Sequence, residues 1–110
     1  MNPQPKFEYL RSGKHLSAVR RLGCWRCGST PAQAAHSNQS KHGKGRGIKA
    51  SDEMTIPLCL VCHQALDQSH DRYQAECMFN AALVGVAKLL LKRGELTPKA
   101  ERLLRERGVL

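Results

Sequence analysis

The sequence predicts an α+β fold closed by a metal staple. Two Cys-x-x-Cys pairs, two short strand-like segments around His36 and Ile56, and one long stretch with a helical apolar period lead to it. The pairs are Cys24/Cys27 and Cys59/Cys62, with residues 28–58 between them. Four thiolates bind zinc tetrahedrally at about 2.3 Å and leave no open position, which is the form of a structural site. The separation exceeds the roughly 15–20 residues of simple zinc ribbons, so the chain between the pairs must fold back on itself. Cys59, Cys62, His63 and His70 form a competing ligand set that omits the first pair.

Length and charge narrow the classes. At 110 residues the chain is one domain, and aromatics at 5% leave its core short of large side chains. A small scaffold with a thin core calls for a staple. The formal charge of +9 and pI near 9.8 favour a nucleic-acid partner over a merely solvated basic surface. No apolar run reaches 18 residues and MNPQPKFEYLRSGK has no signal-peptide core, so no membrane partner and a cytoplasmic location are expected. In a reducing compartment the paired cysteines read as metal ligands rather than disulfides. Cys77 has no partner at ligand spacing and reads as a half-buried helix thiol.

In chain order, residues 1–14 contain two prolines and read as an extended arm. Leu16, Val19 and Leu22 predict a short helix over 15–22 that ends at Gly23. Residues 33–38 read as a strand, and 39–52, with Gly43, Gly45 and Gly47, as a loop without regular structure. Met54–Leu58 is the returning strand, and Pro57 marks it as an edge or strand end. A helix from Leu60 past Asp67 puts His63 and Asp67 one turn apart on one face, a spacing that suits one further cation. Apolar residues at 75, 78, 79, 82, 83, 86, 89 and 90 predict an amphipathic helix over 72–91, stopped at Gly94. Thr97 as cap and Pro98 in the first turn predict a last helix over 98–107, with Arg102, Arg105 and Arg107 on a solvated face. The domain proper is thus 15–94, followed by a short basic C-terminal helix within 95–110.

The order Cys24–Cys27, Ala35-His36, a Gly-rich loop into Gly47–Asp52, Leu58–His63 and Asp67 resembles the HNH, or ββα-metal, nucleases. The likeness is nearest to the small nucleases of lambdoid phages and prophages, and more distant to phage recombination-enhancement nucleases. It covers about two thirds of the chain. It implies a hairpin and helix clasping one catalytic cation beside a four-cysteine zinc. His36 matches the general base, a task that suits imidazole because its ordinary pKa lies near neutrality. His63 matches a cation ligand, and Asp67 stands one helical turn later. Mg²⁺ or Mn²⁺ suits oxygen ligands, while the imidazole admits Zn²⁺ or Ni²⁺.

Two positions depart from the pattern. Ala35 stands where many members carry a ligand before the base, and the middle Asn has no clear match. Asp52 is the acid placed to compensate, by orienting His36 or reaching the metal, unless it only caps a turn; Asn38 is the lesser alternative.

The loop cations Lys41, Lys44, Arg46 and Lys49 alternate with glycines that let backbone approach phosphate, so they are expected to bind DNA, with RNA also admitted. Nothing reads base edges, so strong sequence preference is not expected. The expected activity is metal-dependent phosphodiester hydrolysis. The rivals are a non-catalytic zinc module that binds nucleic acid, and a phage accessory protein that binds a host recombination or replication protein through the 72–91 stripe.

Overall fold

The computed structural model describes residues 6–110, and it is α+β: one two-stranded antiparallel sheet and four helices. Of the extended arm expected over 1–14, residues 1–5 lie outside the described residues, 6–12 have neither helix nor strand, and Gly13 already begins the first helix, which ends at Arg20 rather than at residue 22. Helix α1 (Gly13–Arg20) starts where the Ser12 hydroxyl accepts from the His15 N–H at 3.1 Å, and turns His15, Ala18 and Val19 inward. Strand β1 (Gln33–His36) pairs with β2 (Thr55–Leu58), with Ala35 opposite Ile56 and His36 opposite Thr55. Ala35 and Ile56 face the core at 1% exposure, so strand alternation sends His36 to the other side. The same alternation makes Ala35 part of the packing.

Helix α2 (Leu60–Asp67) follows Cys59 directly, with the Cys59 sulfur accepting the Cys62 N–H at 3.5 Å. Helix α3 (Arg72–Lys92) is capped by Asp71, whose carboxylate accepts the Gln74 N–H at 2.9 Å. By length and composition α3 could cross a membrane. Phe79, Leu83, Val86, Ala87 and Leu90 are instead buried, and α3 packs against β2 and α1. Helix α4 (Pro98–Glu106) has the expected cap, Thr97 Oγ1 accepting from the Ala100 N–H at 3.2 Å. The main core joins α1, both strands and α3 around Met54, Ile56, Leu58, Leu83 and Leu90.

Several expectations are corrected. Strand β1 stops at His36, because Ser37 Oγ accepts the Gln39 N–H at 3.0 Å and bonds His42 Nδ1 at 2.7 Å, which turns the chain. That bond also holds a 3-10 turn over Ser40–His42 inside the segment expected to be irregular. The Ser51 N–H donates to the His42 carbonyl at 3.0 Å, and Gly45 bridges Ile48, so the Gly-rich segment is closed at its base. Cys77 is exposed rather than half-buried, since it lies on the outer face of α3.

Arg107 is the larger correction. Its side chain is only 14% exposed and pairs with the fully buried carboxylate of Glu53. It also donates to the Glu8 carbonyl and lies 4.2 Å over the Phe7 ring. Arg102, still half exposed, pairs with Glu8 at 2.6 Å. These contacts seat residues 7–12 between α4 and the Gly-rich segment. Leu10 is buried with Ala100 and Leu103, and the Tyr9 hydroxyl donates to the Gly43 carbonyl at 2.6 Å. Gly43 has φ +92, and a Cβ there would fall 2.6 Å from the Phe7 ring, so only glycine fits beneath this segment.

Candidate metal centre and active site

The two Cys-x-x-Cys pairs converge. The sulfurs of Cys24, Cys27, Cys59 and Cys62 all lie within 4.8 Å of one another. Among the described residues this is the one group of three or more His, Cys, Asp or Glu side chains so arranged. Cys27 Sγ and Cys59 Sγ are 3.7 Å apart, and a tetrahedron with arms of about 2.3 Å has edges of about 3.8 Å. The cluster could therefore hold a structural metal such as zinc. His63 and His70 are outside the cluster, which removes the competing ligand set.

Backbone geometry prepares the cluster. Gly28 adopts φ +78, which lets its N–H return to the Cys24 carbonyl at 2.8 Å, and the Trp25 N–H pairs with the Pro57 carbonyl at 2.8 Å. The first knuckle is thereby sewn to β2, one residue from the strand end that leads into the second. Burial alone would raise the Cys24 thiol, but backbone N–H groups of Cys59, Cys27 and Arg26 outweigh it and draw it down to about 6. Its neighbour Cys62 is pushed up to about 12 by the bond to Cys59, by burial and by the other sulfurs. Four sulfurs this close would ionise together only around a cation, and zinc is one that could fill that place.

On the opposite face of β1, His36 Nε2 lies 2.8 Å from Asp52 Oδ1. A carboxylate only accepts, so Nε2 is the donor, and in the neutral ring the lone pair then lies on Nδ1. Asp52 is 7% exposed and also accepts the Ser12 N–H at 2.8 Å and Arg11 Nη1 at 3.2 Å. Burial by itself would raise the Asp52 carboxyl; the bonds from His36, Ser12 and Arg11 overcome it and hold it below the usual carboxylate range. Asp52 is therefore charged and fixed, and its contact is with His36.

His63 and Asp67 meet one turn apart on α2, with Nε2 at 3.5 Å from Oδ2. Gln33 Oε1, at 2.9 Å from Nδ1, accepts a hydrogen bond from that nitrogen and leaves Nε2 to face Asp67. Two ligands at about 2.1 Å from one ion stand about 3.0–3.4 Å apart, so this pair fits a divalent cation with little movement. The pair alone supplies two ligands.

His36 and Asp67 line one surface cavity of about 190 Å³, together with Asn38, Arg72, Glu76 and Phe79. His63 is not among its lining residues. Of the loop cations, Lys41 lines an adjoining cavity of about 410 Å³; Lys44, Arg46 and Lys49 are exposed along the Gly-rich segment. Sequence reasoning missed Arg11, Gln33, Arg72 and Glu76. Arg72, directly after the α3 cap, and Glu76, one turn on, carried a helical signal but no sign of which cavity α3 would border.

The sequence profile of a family described as a protein of unknown function, DUF968, matches residues 2–93. This chain belongs to DUF968. No curated protein and no solved structure matches it. The DUF968 match spans both cysteine pairs, the His36–Asp52 contact, the His63–Asp67 pair and α3; α4 and its C-cap residue Arg107 lie beyond it.

Proposed function

We propose that this DUF968 protein is a metal-dependent endonuclease of HNH type that hydrolyses phosphodiester bonds in DNA, on a zinc-stapled ββα-metal scaffold. The observation that carries the reading is the His36–Asp52 pair, in which Nε2 is turned to Asp52 and the His36 side chain borders the same cavity as Asp67. A cation-site carboxylate beside a base of fixed tautomer is the arrangement that hydrolysis of a phosphodiester requires.

In this reading His36 Nδ1 takes a proton from water, whose oxygen attacks phosphorus, and the bond to the leaving 3′ oxygen breaks. Asp52 holds the Nε2 proton and stabilises the imidazolium that forms. His63 and Asp67 would hold the divalent cation, Mg²⁺ or Mn²⁺ first, and when bound it would polarise the phosphodiester and offset charge on the leaving oxygen. Lys41, Lys44, Arg46 and Lys49 supply attraction to phosphate without reading sequence. The +9 charge supports DNA as partner, and a phage or prophage role rests on the motif likeness alone.

The deciding experiment is nicking of supercoiled plasmid with Mg²⁺, Mn²⁺, Zn²⁺ or Ni²⁺ against EDTA. Cleavage that needs both a metal and His36 supports the reading. Tight binding with no cleavage under any of these metals would leave a zinc-containing nucleic-acid-binding module, or an accessory protein of phage recombination or replication.

A further inference from the structure

Two cavities border the N-terminal end of α3, and they are not separate. The one that holds His36 and Asp67 and the one that holds Ser40 and Lys41 share Asn38, Gln39, Arg72 and Glu76. They adjoin through these four residues, and together they make a trough with His36 at one end and the 3-10 turn at the other.

The cations along it are uncommitted. Arg11, Arg21, Lys99, Arg102, Arg105 and Arg107 stand in ion pairs; Arg72 and Lys41, like Lys44, Arg46, Lys49 and Lys92, have none among the described residues, and what sets these two apart is that they line the cavities. Both are exposed. The wall between them is stiff, because Gln39 Nε2 donates to Asn80 Oδ1 at 2.8 Å, which ties the start of the turn to α3. Asn38 is exposed beside it, with its amide free.

We propose that Arg72 and Lys41 form a phosphate subsite, which takes the phosphodiester next to the one attacked and aligns a single strand along the trough. The inference rests on the reading of the cavity as a phosphodiester site. Guanidinium and ammonium groups are the side chains that recognise phosphate without reading bases. Phe79, Leu66 and Ala75 border the His36 end and offer apolar surface to a sugar. Glu76 lines both cavities and repels phosphate, so the strand lies on the Asn38–Lys41 side and leaves the carboxylate toward the cation. This assigns opposite signs to two residues of one helix turn: Arg72 favours the strand and Glu76 opposes it.

The test measures binding on zinc-loaded protein with no Mg²⁺ or Mn²⁺ added and no chelator, so that the zinc staple is kept and metal-dependent cleavage does not intervene. Fluorescence anisotropy follows a labelled oligothymidylate of about 12 nucleotides over a salt series. Each lost phosphate contact on a single strand lowers the slope of log K against log salt by about 0.7. Arg72→Gln with Lys41→Gln should lower it by about 1.4, each single change by about half of that. Glu76→Gln should tighten binding, and Lys92→Gln, at the far end of α3, should leave it unchanged. Zinc content and circular dichroism confirm that each variant is folded.

A double variant with the wild-type slope, a Lys92→Gln slope reduced as much as that of either single change, or a wild type that binds no oligothymidylate would overturn the proposal. If the plasmid is never cut yet the slope falls, the nuclease reading fails, and Arg72 and Lys41 stand as a phosphate-binding site of a binding module rather than as a neighbour to an attacked phosphodiester. If the plasmid is cut and the slope holds, the subsite fails and the nuclease reading stands.

Discussion

Removing the Arg107 side chain tests the packing that supports the site. Glu53 is fully buried, accepts the Ser51 hydroxyl, and has Arg107 as its ion partner. Arg107→Ala leaves a carboxylate charge uncompensated in the interior, a change that costs about 3–5 kcal/mol. Loss of the contact over Phe7 adds about 0.5–1 kcal/mol. Against a net stability of about 5–15 kcal/mol for a domain, that is a large fraction. At about 4 °C per kcal/mol for a chain of this length, the melting temperature should fall by about 14–24 °C. The assay is urea unfolding followed by circular dichroism, with zinc saturating. Glu53→Leu combined with Arg107→Met should cost less than Arg107→Ala alone, because no buried charge is then left unpaired. An Arg107→Ala loss below about 1 kcal/mol, the range of exposed ion pairs, would refute the reasoning and return Arg107 to a solvated face. The substitution should also blunt any cleavage, since Glu53 adjoins Asp52.

Three further outcomes follow from the geometry. Cys59→Ser should abolish the fold at ordinary temperature, because structural zinc contributes roughly 10–16 kcal/mol in small zinc peptides; elemental analysis should find about one zinc per wild-type chain, and a folded metal-free wild type would contradict it. If the nuclease reading holds, His36→Ala should lower cleavage by about 10²–10⁴-fold with Mn²⁺ giving no rescue, whereas added Mn²⁺ should partly restore His63→Ala; equal rescue of both would separate His36 from the base role. His42 is lowered to about 4 by burial, with Lys41 and Arg107 adding to it. A neutral buried histidine contributes stability that is full above its ordinary value near 6.5 and is lost as pH falls toward 4, by at most about 3 kcal/mol. His42→Asn should flatten the stability profile across that window in urea titrations at fixed salt, and an unchanged profile would count against the assignment.

The sequence by itself determined the elements whose causes are local. Thr97-Pro98 starts α4 and the apolar period runs α3 to Lys92; the Ser12 and Asp71 caps are just as local, bonding three residues away, but only the structure brought them out. The four cysteines were legible because two sulfurs at Cys-x-x-Cys spacing approach one ion in almost any fold, and only the pairing of knuckles needed a hairpin between them. His63 and Asp67 were legible for the same reason, one helical turn being a fixed distance.

What only the tertiary structure decided are the partners that lie far along the chain. Asp52 reads equally as a turn cap until His36, Ser12 and Arg11 are seen converging on its oxygens. Gln33 has no signal at all, because its bond to His63 depends on how α2 lies beside β1. Arg107 carries the spacing of a solvated helix face, and its burial depends on Glu53 and Phe7, both brought to it by folding. Periodicity reports which face of a helix is apolar; it does not report which charged side chain will find a buried counter-charge, because that is set by contacts between segments far apart in sequence.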